Sequence, residues 1–144
     1  MLVRDLMTKD PLVVSVDTPV AEARRMMTDR RIRHLLVTDG ERLAGIVTDR
    51  DIRLNMPSPA TSLSVWEINY LLARMTVESV MTKAVITVSP DRDASGAARI
   101  MLDHKIGALP VLDAATIVGI VTESDMVRAF AARHARDAMA SAER

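Results

Sequence analysis

Hydrophobic residues follow two different periods in the first part of the chain. Residues 12–16, Leu-Val-Val-Ser-Val, form a short run rich in β-branched residues, which predicts a strand. Pro19 then opens a stretch in which apolar residues recur at helical spacing beside charged ones, and proline is tolerated in a first helical turn. The apolar positions of this predicted amphipathic helix are Val20, Ala23, Met26 and Met27.

Two further apolar runs are separated by a turn signal. Residues 34–38 and 43–47 flank Asp39-Gly40, a dipeptide that is typical of tight β-hairpins. Thr48 follows the second run and is predicted to cap a short helix that contains Asp51 and Ile52. The predicted order of elements is strand, helix, strand, strand, helix.

The same pattern occurs twice in the chain. Sliding the sequence by 74 positions places residues 3–53 over residues 77–127 without a gap, and 20 of these 51 positions are identical. The longest shared block is Gly-Ile-Val-Thr, at 45–48 and 119–122, and the second copy departs only at its turn, Asp113-Ala114-Ala115. Because about fifty residues cannot bury all of these apolar faces, the copies are expected to pack as one α/β (α+β) domain with pseudo-two-fold symmetry.

A connecting segment and a tail lie outside the repeated pattern. Pro57-Ser58-Pro59 interrupts the chain, and Ser64 followed by Glu67 forms a capping-box pattern that starts a predicted helix ending at Ala73. The Ala- and Arg-rich tail 125–144 predicts another helix, frayed at 141–144. The predicted boundaries are a first motif at 1–56, a linker helix region at 57–76 and a second motif at 77–144.

Composition excludes several classes of protein. The 144 residues are 49% apolar, which is enough for a core and too much for a disordered chain. The 19 basic and 19 acidic residues balance, so a general attraction to nucleic acid or acidic membranes is not expected. The lack of cysteine excludes disulfides and cysteine-ligated metals. Because residues 1–10 lack an apolar signal core and no run of 18 apolar residues occurs, a cytoplasmic protein is expected.

Two threonine–aspartate pairs carry the clearest chemistry: Thr48 with Asp51, and Thr122 with Asp125. A hydroxyl and a carboxylate three residues apart at a helix start point to the same side. Such a carboxylate can accept hydrogen bonds from two vicinal hydroxyls, as acidic residues do for ribose in dinucleotide-binding folds. The same spacing is that of a simple N-terminal helix cap. Both interpretations stay open, and the two roles can coexist.

Catalysis has little support in the sequence. His34, His104 and His134 lack metal-ligand spacing, no Ser-His-Asp arrangement is suggested, and no glycine-rich phosphate loop is present. We therefore expect no catalytic residue, no metal ligand and no enzymatic activity.

Each copy has a Met-Thr start, at Met7 and Met81, and a Gly-Ile-Val-Thr-x-x-Asp close, and in this it resembles the CBS motif. Two copies resemble a CBS pair, or Bateman module, over 1–144. Residues 59–67 are similar to the linker of acetoin-utilisation-type CBS proteins. The resemblance implies two βαββα units packed through their sheets, adenosine-containing ligands in clefts between them, and disc-like dimers.

The resemblance also implies a function. It indicates a regulatory, energy-sensing module that binds AMP, ADP, ATP, S-adenosylmethionine or a dinucleotide, requires no cofactor, and signals occupancy to a regulated protein by changing shape. One alternative is a dimerisation or interaction module without a physiological ligand. Another is an enzyme acting on a nucleotide, which the missing acid–base set disfavours. Neither nucleic acid nor a membrane is expected as a partner.

The resemblance assigns roles to individual residues. The matching threonines and aspartates of the family hold the ribose, which indicates this role for Thr48, Asp51, Thr122 and Asp125. Adenine lies beside the first strand and the start of the second, and phosphate needs cations or amides. The weaker candidates for base and phosphate contacts are Val13, Val14, Arg33, His34, Arg50, Ile86, Thr87, Gly107, Ala108 and Pro110.

The two copies differ in charge at these positions. Where the first copy has Arg33, His34 and Arg50, the second copy has Gly107, Ala108 and Ser124. The site with the arginines is therefore expected to prefer the more phosphorylated ligand and to weaken more with salt. The first copy also departs from the family at Leu36, where the motif usually has the proline found at Pro110.

The connecting helix is apolar on most sides, through Val65, Trp66, Ile68, Tyr70, Leu71 and Leu72. A helix apolar nearly all round needs cover on more than one face, and Trp and Tyr are enriched in interface cores. Trp66 and Tyr70 are therefore predicted to lie at a homodimer contact, with the Phe130 region of the tail. The alternative is a linker helix buried wholly within one chain.

Overall fold

The computed structural model describes residues 1–58 and 61–142, which divide into two compact units. One unit is Pro11–Val85, and the other combines Met1–Asp10 with Ile86–Arg144. The first ten residues therefore belong to the unit that holds most of the second repeat. Pro59 and Ala60 of the predicted linker, and Glu143 and Arg144 of the tail, lie outside the described residues.

Six α-helices and six strands, with one 3-10 turn at Val77–Ser79, make up the described part of the chain. This mixture of helices and sheets confirms the expected α/β class. In chain order the elements are α1 (Val3–Leu6), β1 (Thr8–Lys9), β2 (Val13–Ser15), α2 (Val20–Arg30), β3 (His34–Asp39), β4 (Arg42–Thr48), α3 (Asp49–Leu54), α4 (Val65–Arg74), α5 (Ala94–His104), β5 (Ala108–Asp113), β6 (Thr116–Thr122) and α6 (Glu123–Ala142).

Each unit contains a three-stranded sheet built on a predicted hairpin. In the unit Pro11–Val85 the strand order is β2-β3-β4, with β2 parallel to β3 and β3 antiparallel to β4. In the other unit the order is β1-β6-β5, and both pairings are antiparallel. The two hairpins share one register, since His34 lies opposite Thr48 and Ala108 lies opposite Thr122.

Each unit has a separate hydrophobic core made from matching positions of the two repeats. In the unit Pro11–Val85, Ala23 and Met27 of α2 are buried with Leu35 and Val47 of the hairpin. The matching residues of the other core are Ala97, Met101, Leu109 and Val121. The apolar face predicted for the long helix of each repeat is therefore the face that packs inward.

The Met-Thr segment of each repeat completes the unit of the other repeat. Thr8 of β1 pairs with β6, and Thr82 forms the matching bridge to β4. Glycine allows this approach, because a Cβ on Gly45 would lie 2.6 Å from the Thr82 carbonyl oxygen and one on Gly119 would lie 2.8 Å from that of Thr8. The glycine that opens the shared Gly-Ile-Val-Thr block is therefore a packing requirement.

The first strand of the repeat forms only in the first copy. β2 is secured at both ends, since the Leu36 amide donates to Leu12 at 3.3 Å and the Val16 amide donates to Thr38 at 3.0 Å. The positions that match Leu36 and Val16 in the second copy are Pro110 and Pro90, which have no N–H to donate. Only an isolated bridge at Val88 remains there. The prediction of a full strand in the second copy is therefore wrong.

Local capping signals placed several helices correctly. α2 begins after Pro19, and α4 begins after Ser64, whose hydroxyl accepts a hydrogen bond from the Glu67 amide at 3.2 Å. The tail forms the single helix α6, in which Ser141 is still helical despite the fraying predicted there. The short α1 has no counterpart among the predicted elements. Across the described ranges, no helix is both long enough and apolar enough to cross a membrane.

Candidate functional site

The hairpin of the unit Pro11–Val85 brings four of its candidate residues to one end of the sheet. His34, the first residue of β3, lies opposite Thr48, the last residue of β4. The Asp49 amide donates to the Arg33 carbonyl at 3.0 Å, which ties the start of α3 to the residue before β3. Arg33, His34, Thr48 and Asp51 therefore lie together, although up to 18 positions (51 − 33) separate them in the sequence.

Thr48 and Asp51 form a reciprocal capping box at the start of α3. The Thr48 amide donates to Asp51 Oδ2 at 2.9 Å, and the Asp51 amide donates to Thr48 Oγ1 at 3.0 Å. Both side chains are half-buried. The capping interpretation is thus confirmed, and the aspartate keeps acceptor capacity on its second oxygen, because an ionised carboxylate offers about four lone-pair sites.

The second unit repeats this arrangement. Ala108 lies opposite Thr122, and the Glu123 amide donates to the Gly107 carbonyl at 3.0 Å. The Thr122 amide donates to Asp125 Oδ2 at 2.9 Å, and the Asp125 amide donates to Thr122 Oγ1 at 3.3 Å. Gly107, Ala108, Thr122 and Asp125 are therefore grouped as their counterparts are in the other unit.

Asp125 has contacts beyond the capping box. The Thr122 hydroxyl also donates to its Oδ2 at 3.1 Å, and Arg128 Nη1 donates to its Oδ1 at 3.1 Å. Its side chain is only 5% exposed. Arg128 is not among the predicted site residues. The alignment of the two copies could have indicated it, because a charged residue in the second copy replaces the apolar Leu54 of the first.

The predicted base-contacting residues differ in what they can offer. Val13 is exposed, whereas Val14 belongs to the core and cannot present its side chain to a ligand. In the second copy, Thr87 takes the exposed position that matches Val13, and Ile86 packs partly against the core. The Pro110 side chain is fully buried as well, which leaves the backbone of Val14 and Pro110 as the part that a ligand can reach.

The two hairpin ends differ in charge in the structure, as the sequences of the two copies predict. Arg33 and Arg50 are exposed at the end of the β3–β4 hairpin. The corresponding end of the β5–β6 hairpin has a half-buried Gly107 and a buried Ala108. Cationic contacts to phosphate are therefore available from Arg33 and Arg50 in the first unit, whereas the exposed cation beside Asp125 in the second unit is Arg128.

The connecting helix α4 exposes most of its apolar surface. Trp66 is 83% exposed and Tyr70 is 57% exposed, while Leu72 is buried against the core. The alternative of a helix buried wholly within one chain is therefore wrong for these two aromatic residues. They line a groove of about 400 Å³ with Leu63, Glu67 and Leu71. The Arg74 guanidinium stacks over the Tyr70 ring, 4.3 Å from its centroid.

Phe130, the third aromatic residue, is exposed on α6. Its ring contacts that of His134, with 4.4 Å between the two centroids. Every described residue of α6 from 131 to 142 is exposed as well. The predicted contact residues Trp66, Tyr70 and Phe130 are thus all available at the surface.

Comparison with solved structures gives neighbours that align over nearly the whole chain. A CBS domain pair of protein MJ0100, solved with 5'-methylthioadenosine and S-adenosyl-L-methionine, is 29% identical, with a TM-score of 0.76 and coverage of 92% of this chain and 98% of that one. CBSX2 in complex with AMP is 28% identical, with a TM-score of 0.77 and coverage of 92% and 98%. A putative acetoin utilization protein, AcuB, from Vibrio cholerae is 29% identical, with a TM-score of 0.77 and coverage of 95% and 96%.

Curated relatives vary in length. One from Dictyostelium discoideum is 33% identical over 129 residues, which cover 88% of this chain and 89% of that protein. Several others are much longer, and the chain spans only 32% to 23% of their length. Some of these longer relatives are named as enzymes.

Comparison with family models identifies the same two repeats as the internal alignment of the sequence. The sequence model of the CBS domain matches residues 3–58 and again residues 77–132. Each match contains one hairpin and one threonine–aspartate capping box. The acetoin utilization protein among the structural neighbours also confirms the predicted resemblance to that type of CBS protein. The chain belongs to the CBS domain family, of which it carries a tandem pair.

Proposed function

We propose that the chain is a regulatory module that binds an adenosine-containing ligand at sites centred on Thr48–Asp51 and Thr122–Asp125. One observation carries the proposal: CBS pairs that align with more than nine-tenths of this chain were solved with AMP and with S-adenosyl-L-methionine. Both units of this chain present a threonine–aspartate pair at the same end of the hairpin.

The chemistry of the first unit suits a nucleotide. Asp51 can accept hydrogen bonds from ribose hydroxyls while its Oδ2 still accepts the hydrogen bond from the Thr48 amide. Exposed Arg33 and Arg50 can donate charge-assisted hydrogen bonds to phosphate oxygens. The exposed Val13 side chain can pack against an adenine face. AMP, ADP and ATP are therefore the ligands that this unit fits best.

The module acts by reporting occupancy rather than by turning over a substrate. Ligand contacts at the ends of β3 and β4 change the packing of α3, and a regulated protein responds to that change. The absence of a catalytic acid–base set in the sequence supports a non-enzymatic role for this chain.

Ligand-dependent thermal unfolding tests this proposal. AMP, ADP, ATP, S-adenosyl-L-methionine and 5'-methylthioadenosine are added separately, with IMP as the matched base control for AMP. A ligand at a hundredfold excess over its dissociation constant stabilises the fold by about 2.7 kcal/mol. We expect an adenosine ligand to do so, and we expect IMP to stabilise the fold less than AMP does. If none of the adenosine ligands shifts the unfolding temperature, the proposal is wrong.

We also propose that the exposed face of α4 pairs with a second copy of the chain. The groove lined by Trp66 and Tyr70 is apolar. Aromatic residues of this kind are enriched in interface cores and contribute much of the binding free energy there. Glu67 and Arg74 lie seven residues apart on α4, and hence on the same face. If a second copy of α4 runs antiparallel and the two-fold axis passes midway between these residues, each glutamate faces an arginine of the other copy, and the contact occurs twice, as in an isologous interface.

A further inference from the structure

The two capping boxes differ in the number of hydrogen bonds that the aspartate carboxylate accepts. Asp125 accepts from the Thr122 amide, the Thr122 hydroxyl and Arg128 Nη1. Asp51 accepts from the Thr48 amide, and no arginine lies three residues after it. Leu54, which takes the position of Arg128 in the first copy, has no hydrogen-bond donor on its side chain and is mostly exposed.

The number of free acceptor sites decides what each carboxylate can bind. A carboxylate has about four lone-pair sites, and a ribose diol needs two of them. Three are occupied at Asp125: the two Thr122 donors share Oδ2, and Arg128 takes Oδ1, the oxygen that the capping box leaves open, so a diol that binds Oδ1 has to displace the guanidinium. Arg128 can withdraw, because its side chain is 73% exposed and the ion pair therefore has solvent on one side.

We propose that Arg128 is a positioning residue that keeps the second site closed to the ribose diol. The site at Thr48–Asp51 then fills first, and the site at Thr122–Asp125 fills only at higher ligand concentration, when the diol displaces the guanidinium. This inference rests on the proposed adenosine binding. It makes the module respond over two concentration ranges.

A reciprocal exchange of the two side chains tests the proposal. Adenosine is the probe, because it is neutral and the loss of an arginine does not alter a phosphate contact. In an Asp51→Asn background, which leaves the second site to be measured, Arg128→Leu is expected to tighten adenosine binding about fivefold, the upper end of what an exposed ion pair contributes. With the second site removed by Asp125→Asn, Leu54→Arg is expected to weaken binding by a similar factor.

Controls separate a change in the diol contact from a change in fold or charge. Arg128→Lys keeps the charge and is expected to keep the second site weak. Arg133→Leu removes another exposed cation of α6 and is expected to leave both affinities unchanged. The tightening caused by Arg128→Leu is expected to disappear with 2',3'-dideoxyadenosine, which has no diol. Calorimetry measures these affinities, and thermal unfolding verifies that each variant is folded.

The outcomes distinguish this inference from the proposed function. If the wild-type chain binds adenosine but Arg128→Leu leaves the second site unchanged, the role of Arg128 is wrong and nucleotide binding stands. Equal tightening toward the dideoxy ligand also overturns it. If neither the wild type nor any variant binds adenosine or AMP, the proposed function and this inference are both wrong.

Discussion

Ile46 and Thr82 exchange two backbone hydrogen bonds. The Ile46 amide donates to the Thr82 carbonyl at 3.1 Å, and the Thr82 amide donates to the Ile46 carbonyl at 2.9 Å. The equivalent residues of the other unit, Thr8 and Ile120, lie opposite each other in the pairing of β1 with β6. Each repeat therefore starts inside the unit that the other repeat builds, and this exchange has consequences for folding.

Two fragments of equal length are expected to fold differently. Residues 11–85 contain every segment of one compact unit, including Thr82. Residues 1–75 carry β1 without the strand it pairs with and lack the segment that pairs with β4. We expect a cooperative thermal transition, followed by circular dichroism, for 11–85 and none for 1–75. Equal cooperativity in the two fragments would show that the exchanged segment is dispensable.

Alanine at Gly45 or Gly119 is expected to destabilise the protein by about 1–3 kcal/mol, the usual cost of overpacking. The added Cβ would meet a backbone carbonyl oxygen at 2.6 Å or 2.8 Å, and backbone cannot move aside as a side chain can. Gly96→Ala is the control, because its Cβ would meet only the flexible Arg92 side chain in α5 and alanine favours the helix. Urea denaturation of the three variants measures the difference, and a loss at Gly96 equal to the others would contradict this explanation.

Ala114→Gly is expected to stabilise the protein by about 1 kcal/mol. Ala114 has a φ of 56°, in the left-handed region, and the matching turn position in the first copy is Gly40, with a φ of 64°. A glycine there removes the clash of Cβ with the backbone. Ala115→Gly, one residue later, has no such strain to relieve and is expected to give no gain in the same denaturation experiment.

Asp51→Ala is expected to weaken AMP binding by about 1–3 kcal/mol, the cost of leaving a buried polar group unsatisfied. It also removes the capping box, so stability is expected to fall together with affinity. Asp49→Ala is the control, because Asp49 pairs with Arg53 at 3.2 Å and takes no part in the box. Calorimetry and thermal unfolding separate the two effects. Reduced stability with unchanged affinity would leave Asp51 as a helix cap alone.

Trp66→Ala combined with Tyr70→Ala is expected to convert a dimer into a folded monomer. Both side chains are exposed on the face of α4 that we propose to pair, and aromatic residues dominate the binding energy of such contacts. Leu102→Ala, an exposed apolar change on α5, serves as the matched control. Sedimentation velocity measures the oligomeric state. A double variant that is less stable but still dimeric would place the interface elsewhere.

Local spacing was enough to predict much of the candidate site. Thr48 and Asp51 are three residues apart, so their capping box follows from helix geometry without knowledge of the fold. Arg128 is equally close to Asp125, yet it is not among the predicted site residues, because an i, i+3 spacing shows that an ion pair is possible on a helix and does not show that it forms. The burial of Val14 and Pro110 was also missed, since an apolar run does not tell which side chains face the core when the strand is short.

The sequence by itself determined the two repeats, the order of their elements, the hairpins and the helix starts, because each depends on residues only a few positions apart. Tertiary structure decided which unit each Met-Thr segment enters. Met7-Thr8 and Met81-Thr82 are identical, as are the glycines they approach, so local preference cannot choose between the two partners. The choice depends on long-range strand pairing, whose free energy comes from residues that are distant in the chain and meet only after folding.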